Sequence, residues 1–352
     1  MLELFNDHLF FHDKPFHYFW LRDNCPCDQC RHESGQRLIE VMDVPMNIRP
    51  EAAAVVDIGV DKSLQILWQD GHRSIYPASL LIAEAFVPET PSLWGGALQA
   101  DSIRFDYNAI DDPEIKRQWL QAIETHGLSF LYNVPAQAGQ VLKVVDHFGY
   151  VRETNYGRYF EVISKEEPEN LAFTPRPLSL HTDNPYRHPV PTLQLLHCLE
   201  AAPEGGITAL ADGFYAAQLL RQQHPEYFAL LSTITLHYNF SSDSASLSSS
   251  GPVIELGCEG EIIGIRINNR SVQPVRLPFE KARDFYEAYQ CFMNLLHSEA
   301  CKYTCKLAPG ELMMFNNQRV LHGRELPARG KRHLQGAYAD IDSLRSELKR
   351  MN

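Results

Sequence analysis

The clearest hydrophobic pattern in the chain lies between residues 111 and 127, where apolar side chains recur at helical spacing. They form one stripe: Ile115, Trp119, Leu120 and Ile123. Asp111 or Asp112 can cap the first turn, Pro113 suits that turn, and Gly127 follows the last apolar residues. The pattern therefore predicts an amphipathic helix that ends at Gly127.

Shorter patterns predict the other elements of the second part of the chain. Further helices are expected over 141–148, 213–231 and 279–296. Buried strands are expected over 127–132, 192–199, 311–315 and 332–340. Serine-rich residues 241–250 are expected to form a mobile loop. Because short strands dominate, we predict an α+β fold whose core is a double-stranded β-helix, or jelly roll, with flanking helices.

A small β-rich module precedes this core. Residues 37–87 contain short alternations of apolar and polar side chains, and Asp70-Gly71 marks a turn between two of them. A stretch marked by proline and glycine follows at 87–96. We place the boundary there, with an N-terminal domain over 1–95 and a second domain over 96–352.

Composition and charge narrow the class of protein. The 352 residues are 44% apolar and 22% charged, which is typical of a globular chain. The net charge of −12 argues against nucleic acid and anionic membrane surfaces as partners, since both bind basic stripes. No apolar run is long enough to span a membrane, and residues 1–20 lack the cleavage site of a signal peptide. We therefore expect a cytoplasmic protein.

Three cysteines cluster near the N-terminus. Cys25, Cys27 and Cys30 fall within six residues, a spacing that can bring three thiolates to one ion. Zinc in a structural role takes four such ligands, and the fourth is either His32 or His72. His32 is crowded by Cys30, whereas His72 lies at the turn of the β-rich module. The alternative is a set of reduced, buried cysteines without a metal.

A second candidate metal site combines His181, Asp183 and His322. Two histidines and one carboxylate are the ligands of a non-haem Fe(II) site with open coordination positions. His181 and Asp183 are two residues apart, so on a strand both side chains would leave the same face. Arg332 follows His322 by ten residues and can hold a carboxylate in a bidentate pair.

These residues together fit an oxygenase that uses 2-oxoglutarate and O2. The keto and C1 carboxylate oxygens of 2-oxoglutarate would chelate the iron, and its far carboxylate would meet Arg332 and the hydroxyl of Thr208. Decarboxylation to succinate would then be coupled to oxidation of a C–H bond. Tyr338 is an even number of residues from Arg332, so we expect it on the same face of the strand.

Several longer motifs resemble one enzyme family. They are residues 20–27 (WLRDNCPC), 178–183 (LSLHTD), 195–198 (LLHC), 321–324 (LHGR) and 332–338 (RHLQGAY). Over nearly its whole length, the chain resembles the γ-butyrobetaine dioxygenase branch of the taurine dioxygenase family. The resemblance implies a double-stranded β-helix, Fe(II), 2-oxoglutarate and hydroxylation of a small zwitterion. It also implies that His72 is the fourth zinc ligand and that Leu196 borders the cosubstrate site.

In that branch an aromatic cage holds a trimethylammonium group, because aromatic faces attract a cation that donates no hydrogen bonds. The matching positions here are Tyr156, Phe160, Phe173 and Tyr338. The positions expected at the anionic end are Asn170, Asn184, Asn269 and Arg270. The chain departs from the family at Phe160 and Phe173, where Trp and Tyr are usual, and at Asn184, where Tyr can occur.

The resemblance therefore predicts a hydroxylase of γ-butyrobetaine or a close analogue. Arg270 would suit a dianionic phosphonate as well as a carboxylate, so a (trimethyl)aminoalkylphosphonate is the alternative substrate. Two alternatives of another class remain. One is a hydrolase with zinc at the site of His181, Asp183 and His322, and the other is a non-catalytic, zinc-stapled interaction module. A homodimer is a candidate assembly.

Overall fold

The computed structural model describes residues 2–58, 61–82, 91–163, 177–326 and 329–351. It divides into two compact units, Met1–Pro88 and Glu89–Asn352. Near the start of the larger unit, the Gly96 amide donates a hydrogen bond to Ala300 O at 2.9 Å. The assignment of two domains that meet between residues 95 and 96 stays a prediction.

The smaller unit contains two three-stranded antiparallel sheets, with the orders β1-β2-β3 and β4-β5-β6. Its elements are β1 (Leu2–Leu4), β2 (His8–Phe11), β3 (Lys14–His17), α1 (Tyr18–Asp23), a 3-10 helix (Val41–Asp43), β4 (Pro50–Ile58), β5 (Asp61–Trp68), β6 (Arg73–Pro77) and α2 (Ala78–Ile82). The turn expected at Asp70-Gly71 is confirmed, because Gly71 has a φ of +79° between β5 and β6.

The alternation along β5 explains the core of this unit. Leu64, Ile66 and Trp68 leave the same face of the strand and are fully buried. The indole Nε1 of Trp68 donates to Ser74 Oγ at 2.8 Å, so its polar atom is satisfied inside the core. The packing fixes the two strands on either side of the turn that carries His72.

The larger unit is α+β. Its elements are a 3-10 helix (Ala100–Ile103), β7 (Arg104–Asp106), a 3-10 helix (Tyr107–Ala109), α3 (Pro113–His126), β8 (Leu128–Tyr132), α4 (Gln140–Asp146), β9 (Phe160–Ile163), β10 (Leu178–His181), β11 (Leu193–Glu200), β12 (Thr208–Asp212), α5 (Gly213–Gln223), α6 (Pro225–Thr233), β13 (Leu236–Ser241), β14 (Ser246–Gly251), β15 (Ile254–Leu256), β16 (Ile262–Ile265), α7 (Phe279–His297), β17 (Lys302–Cys305), β18 (Leu312–Asn316), β19 (Val320–Arg324), β20 (His333–Ala339) and α8 (Ile341–Met351).

Two main sheets pack on a common core. The six-stranded sheet has the order β7-β8-β18-β11-β20-β9, and the four-stranded sheet has the order β10-β19-β12-β17. On β11, Leu195 packs with the apolar stripe of α3, whereas Leu196 belongs to a cluster with Leu210 and Val320 of the four-stranded sheet. Successive residues of β11 therefore alternate between the helical layer and the space between the sheets.

The first predicted helix is confirmed as α3. The carboxylate of Asp112 caps it by accepting hydrogen bonds from the amides of Glu114 and Ile115. Gly127 ends it in the left-handed region with a φ of +69°. No helix in the described part of the chain is long and apolar enough to cross a membrane.

Two predictions of local structure are wrong. The single helix expected over 213–231 is two helices, because Pro225 has no amide hydrogen and disfavours a helical backbone at His224, whose φ is −142°. The loop expected over 241–250 contains strand β14, which pairs in full register with β13. Successive residues of β14 alternate in exposure as in a regular strand, so cross-strand pairing outweighs the low strand propensity of serine.

Candidate active site

Two histidines meet across a pair of neighbouring strands. His181 ends β10, and His322 lies opposite it on β19 in the antiparallel register. Their ring centroids are 4.3 Å apart. Strand pairing thus joins two residues that are 141 positions apart in the sequence.

Asp183 lies close to the two histidines, but it is not on the strand where we expected it. Strand β10 ends at His181, so Asp183 lies beyond it rather than on it. The side chain of Asn317 holds its backbone: Asn317 Oδ1 accepts from the Asp183 amide at 2.7 Å, and Asn317 Nδ2 donates to Asp183 O at 3.0 Å. The side chains of His181 and Asp183 therefore lie close together as expected. The hydrogen bonds from Asn317, and not the alternation of a strand, hold Asp183 in this position.

The three side chains fit a divalent metal. Their ligand atoms lie within 4.8 Å of one another. His181 Nε2 is 3.4 Å from Asp183 Oδ1, and His322 Nε2 is 3.8 Å from Asp183 Oδ2, distances that suit ligands roughly 2 Å from one ion. His181 Nδ1 donates to Ser179 O at 2.8 Å, which leaves Nε2 of the neutral ring free to bind metal.

Electrostatics favour the metal-binding protonation states. Burial, assisted by the neighbouring His181, lowers the pKa of His322 to about 3. Burial opposes ionisation of Asp183, but the hydrogen bond with His181 and the charges of His322, His181 and Arg270 hold its pKa well below the usual range. At neutral pH the site therefore presents a neutral imidazole and an ionised carboxylate, as metal ligands require.

Two donors converge on one oxygen of Asp183. Gln194 Nε2 donates to Asp183 Oδ2 at 2.9 Å, and the Tyr338 hydroxyl donates to the same oxygen at 3.0 Å. Gln194 and Tyr338 are register partners on β11 and β20, so adjacent strands of the six-stranded sheet present both donors. On the other side, Arg270 Nη2 is 3.8 Å from Asp183 Oδ1.

A cavity of about 580 Å³ opens beside the three ligands. Most of the residues predicted to bind cosubstrate or substrate line it: Tyr156, Phe160, Asn184, Leu196, Thr208, Asn269, Arg270, Arg332 and Tyr338. Asn170 and Phe173 lie outside the described residues. The individual roles of these residues stay predictions.

Two arginines line the cavity near Thr208. Burial lowers the pKa of Arg332, and burial together with the charges of Arg332 and Arg270 lowers the pKa of Arg324 to about 10. Thr208 on β12 is the register partner of Arg324 on β19. We did not predict Arg324 as a site residue. Its position two residues after His322 on the same strand was the signal that could have identified it.

Aromatic rings form one wall of the cavity. The rings of Phe160 and Tyr338 stack with centroids 5.0 Å apart and an interplanar angle of 28°, and Tyr156 lies 6.4 Å from Phe160. Phe160 on β9 is the register partner of Gly336 on β20. A side chain at position 336 would collide with the ring of Phe160, so this glycine makes room for it.

Sequence reasoning missed a continuation of this wall. Phe240 on β13 lines the cavity and stacks on Tyr186 with centroids 4.9 Å apart. The Tyr156 hydroxyl lies 2.9 Å from that of Tyr186, which donates to Asn184 Oδ1 at 2.8 Å. No local signal identified Phe240, because the serine-rich residues after it suggested a loop and not a strand.

Four cavity-lining side chains carry a buried polar atom that has no partner among the described residues. Two of them, Gln194 (Oε1) and His322 (Nδ1), already belong to the metal site, and the other two are Asn184 (Nδ2) and Ser271 (Oγ). Asn184 has a φ of +54°, a left-handed conformation that asparagine tolerates better than most residues. Since burial of an unsatisfied polar atom is costly, these groups are suited to contact a polar ligand. Ser271 was not predicted as a site residue.

The smaller unit contains a separate cluster of metal-binding side chains. His72 Nε2 lies 3.2 Å from Cys25 Sγ and 3.5 Å from both Cys27 Sγ and Cys30 Sγ. Such distances suit four ligands arranged tetrahedrally around one zinc ion. His32 is not part of the cluster and contacts Ser34 instead.

Arg22 and Asp70 support this cluster from outside. Arg22 Nε donates to Asp70 Oδ2 at 2.8 Å, and Asp70 Oδ1 accepts from the His72 amide at 2.9 Å. Arg22 Nη1 also lies 3.5 Å from Cys30 Sγ, where a guanidinium can balance thiolate charge.

Comparison with known families gives two matches that together span most of the chain. The family described as taurine catabolism dioxygenase TauD, TfdA matches residues 88–338. The family described as γ-butyrobetaine hydroxylase-like, N-terminal, matches residues 9–82.

Curated relatives align over nearly the full length. The chain is 35% identical to γ-butyrobetaine dioxygenase of Pseudomonas sp. (strain AK-1), with 95% of this chain and 90% of that protein covered. It is 33% identical to the human γ-butyrobetaine dioxygenase, with 94% and 89% covered. It is 30% identical to mitochondrial trimethyllysine dioxygenase of Rattus norvegicus, with 94% and 81% covered.

Solved structures share the fold at lower sequence identity. PvcB from Pseudomonas aeruginosa has a TM-score of 0.50 at 23% identity, with 72% of this chain and 94% of that chain covered. An asparagine oxygenase has a TM-score of 0.51 at 18% identity, with 65% and 80% covered.

Proposed function

We propose that this chain, which belongs to the taurine catabolism dioxygenase TauD, TfdA family, hydroxylates γ-butyrobetaine or a close analogue. It is an Fe(II)- and 2-oxoglutarate-dependent dioxygenase. One observation carries the substrate assignment. The cavity beside the three metal ligands combines a wall of aromatic rings with buried polar atoms that have no partner among the described residues.

We infer that the two main sheets form a double-stranded β-helix. Short antiparallel strands, a shared core between the sheets and ligands carried on the four-stranded sheet support this architecture. A barrel of this kind suits the reaction, because it leaves a cavity between the sheets, beside the paired strands that carry His181 and His322.

His181, Asp183 and His322 would hold Fe(II), and Arg332, Thr208 and Leu196 would hold 2-oxoglutarate. When bound, iron supplies O2 activation, with 2-oxoglutarate oxidised to succinate and CO2 as the substrate is hydroxylated. The chain keeps Asp183 ionised and His322 neutral, so neither of these two ligands has to release a proton when the metal enters. Arg332 can pair with the far carboxylate, since a partly buried guanidinium favours a charged partner.

The aromatic wall would receive the quaternary ammonium group. The neighbouring rings of Phe160, Tyr338 and Tyr156 line the cavity, and a trimethylammonium group can contact several of them without losing hydrogen bonds. A primary ammonium group would bind less well, because it is strongly hydrated and the Phe160 ring offers no acceptor.

The opposite charge of the substrate would face polar donors. Asn184 Nδ2 and Ser271 Oγ are buried and unpartnered within the described residues, and Arg270 lines the same cavity. A carboxylate held there would satisfy both atoms and pair with the guanidinium. The separation of the two ends of the substrate then selects the carbon that is hydroxylated.

A phosphonate analogue is the second candidate substrate, because of Arg270. Its guanidinium lines the cavity with Nη2 3.8 Å from Asp183 Oδ1, and its other nitrogen donors can face an anionic group of a ligand. A trimethylaminoalkylphosphonate would bring one more negative charge than γ-butyrobetaine to this guanidinium. The zinc hydrolase and the non-catalytic module have no support from the family match, and Arg332 would have no role in the former.

Hydroxylation tests the proposal directly. Purified protein with Fe(II), 2-oxoglutarate and O2 is assayed for succinate and hydroxylated product on γ-butyrobetaine, trimethyllysine, 4-aminobutyrate and a trimethylaminoalkylphosphonate. We expect the N-methylated compounds to be preferred over 4-aminobutyrate and His322→Ala to be inactive. Preference for 4-aminobutyrate would contradict the quaternary-ammonium assignment, and a preference for the phosphonate that Arg270→Ala removes would favour the second candidate.

We also propose that the cluster in the smaller unit binds structural zinc and that the protein works in the cytoplasm. None of the eight cysteines of the sequence forms a disulfide, which suits a reducing compartment. The net charge of −12 supports a small-molecule substrate and not nucleic acid. A homodimer stays a prediction.

A further inference from the structure

We infer that Tyr338 and Gln194 are positioning residues for the metal ligand Asp183, and that Tyr338 thereby joins the aromatic wall to the metal site. The inference rests on the proposed assignment of iron to His181, Asp183 and His322. It adds a second role for a residue that sequence reasoning placed in the aromatic cage alone.

Tyr338 makes two contacts, one with the aromatic wall and one with the metal ligand Asp183. Its ring stacks on Phe160 in the cavity wall, and its hydroxyl donates to Asp183 Oδ2 at 3.0 Å. Asp183 Oδ2 can only accept here, so the hydroxyl proton of Tyr338 points at the carboxylate.

Gln194 makes the arrangement more rigid. Its Nε2 donates to the same oxygen at 2.9 Å from the neighbouring strand. Two donors on one oxygen restrict rotation of the carboxylate about its last bond, which fixes the direction of the lone pairs that remain for a metal. Hydrogen-bond partners of metal ligands commonly change metal affinity by about 10- to 100-fold when they are removed.

The contacts of Asp183 distinguish this role from simple packing. Tyr156 is another tyrosine of the same wall, but its hydroxyl contacts Tyr186 and not Asp183. Removing either hydroxyl keeps the aromatic ring in place. Only the loss of the Tyr338 hydroxyl should alter the metal site.

Metal binding without substrate tests the inference. The affinities of iron-free protein that retains its zinc are measured for Mn(II) by calorimetry in wild type, Tyr338→Phe, Gln194→Met, the double variant and Tyr156→Phe, with Co(II) as a second probe and with thermal unfolding to verify that each variant is folded. We expect about 10- to 100-fold weaker binding for Tyr338→Phe, a similar loss for Gln194→Met, a larger loss for the double variant and no change for Tyr156→Phe.

The outcomes separate this inference from the proposed function. If wild type and all variants bind the metals equally well, the positioning role is wrong and the iron site stands. If Tyr156→Phe loses as much affinity as Tyr338→Phe, the effect comes from the wall in general and the inference fails. If wild type binds neither metal, the assignment of the metal site itself fails.

Discussion

The guanidinium of Arg332 is partly buried at the cavity, where an ion pair with an anionic ligand is more stable than it would be in water. Burial lowers its pKa, which shows that the surroundings favour neutralisation of the charge. A carboxylate partner provides that neutralisation through a bidentate pair, whereas a neutral ligand does not. This residue is therefore the one whose loss should separate binding of the cosubstrate from binding of the substrate.

Arg332→Ala should raise the KM for 2-oxoglutarate far more than the KM for the substrate. Loss of a charge-assisted pair in a closed site costs roughly 2–5 kcal/mol. Steady-state kinetics with each compound varied in turn measures the effect, and Arg276→Ala at an exposed position is the control. If Arg324→Ala produces the larger change, Arg324 and not Arg332 holds the far carboxylate.

Because of the buried His197, we expect the free energy of unfolding to decrease in acid, independently of catalysis. The side chain is fully buried on β11, and burial lowers its pKa to about 4. The unfolded chain takes up a proton near pH 6.5 and the folded chain does not, so stability is lost as the pH falls from about 6.5 to about 4. The loss at pH 4.5 should be roughly 2–3 kcal/mol.

Denaturant unfolding at pH 7 and pH 4.5 measures this step. His197→Met removes the titrating group and should show a smaller loss of unfolding free energy on acidification than wild type. His237→Gln, an exposed histidine on β13, should keep the wild-type difference. Equal pH dependence in His197→Met and wild type would mean that other buried groups cause the acid sensitivity.

At the level of elements, the sequence predicted those helices whose ends are marked by capping residues close by in the chain. The helix α3 was predictable because Asp112 and Gly127 terminate it with their own backbone and side-chain geometry. The sequence predicted that His181 and His322 bind the same metal, but not that they lie opposite each other on neighbouring strands. Strand pairing over a long sequence separation leaves no local pattern. The position of Asp183 depends on Asn317, which nothing near residue 183 could reveal.

The hairpin β13–β14 was also not predicted from local sequence, and it contributes a residue to the cavity. Its serines suggested a loop, yet pairing with β13 orders them and places Phe240 at the cavity. Phe240 was therefore missed together with the strand that carries it. An element that sequence reasoning discards as a linker can supply part of a binding wall.

Phe240→Ala should weaken binding of the quaternary-ammonium substrate without affecting 2-oxoglutarate. Loss of one ring from such a wall costs roughly 1–2 kcal/mol, or about five- to thirty-fold in Kd. Leu247→Ala, at the register partner of Phe240 on β14, is the control for damage to the hairpin. A similar loss in both variants would indicate that hairpin stability, and not the ring, explains the effect.

On the scale of the whole molecule, the two metal sites differ in their ligand chemistry. The cluster Cys25, Cys27, Cys30 and His72 can supply all four ligands of a tetrahedral shell, whereas the site of His181, Asp183 and His322 leaves positions for other ligands. The four-ligand cluster joins two segments of a small unit, where a metal replaces hydrophobic area that the unit is too small to bury. The two ions should therefore differ in how readily they leave.

Mild chelation should remove iron and retain one zinc per chain. Elemental analysis after dialysis against a chelator measures both ions. Cys27→Ser should lose the zinc and lower Tm, while the exposed Cys258→Ser should match wild type. A purified protein without zinc, or a Cys27→Ser variant with unchanged Tm, would show that the cluster is a set of reduced thiols.

Gly336 has a consequence for substrate size. It does not line the cavity, yet the ring of Phe160 lies where its side chain would be. Adding a methyl group at this position would force the ring to move, which changes the shape of the cavity wall where we propose that the cationic end binds. Homologous enzymes that accept longer or shorter substrates can therefore differ at a residue that never touches them, and a comparison restricted to cavity-lining positions would overlook the cause.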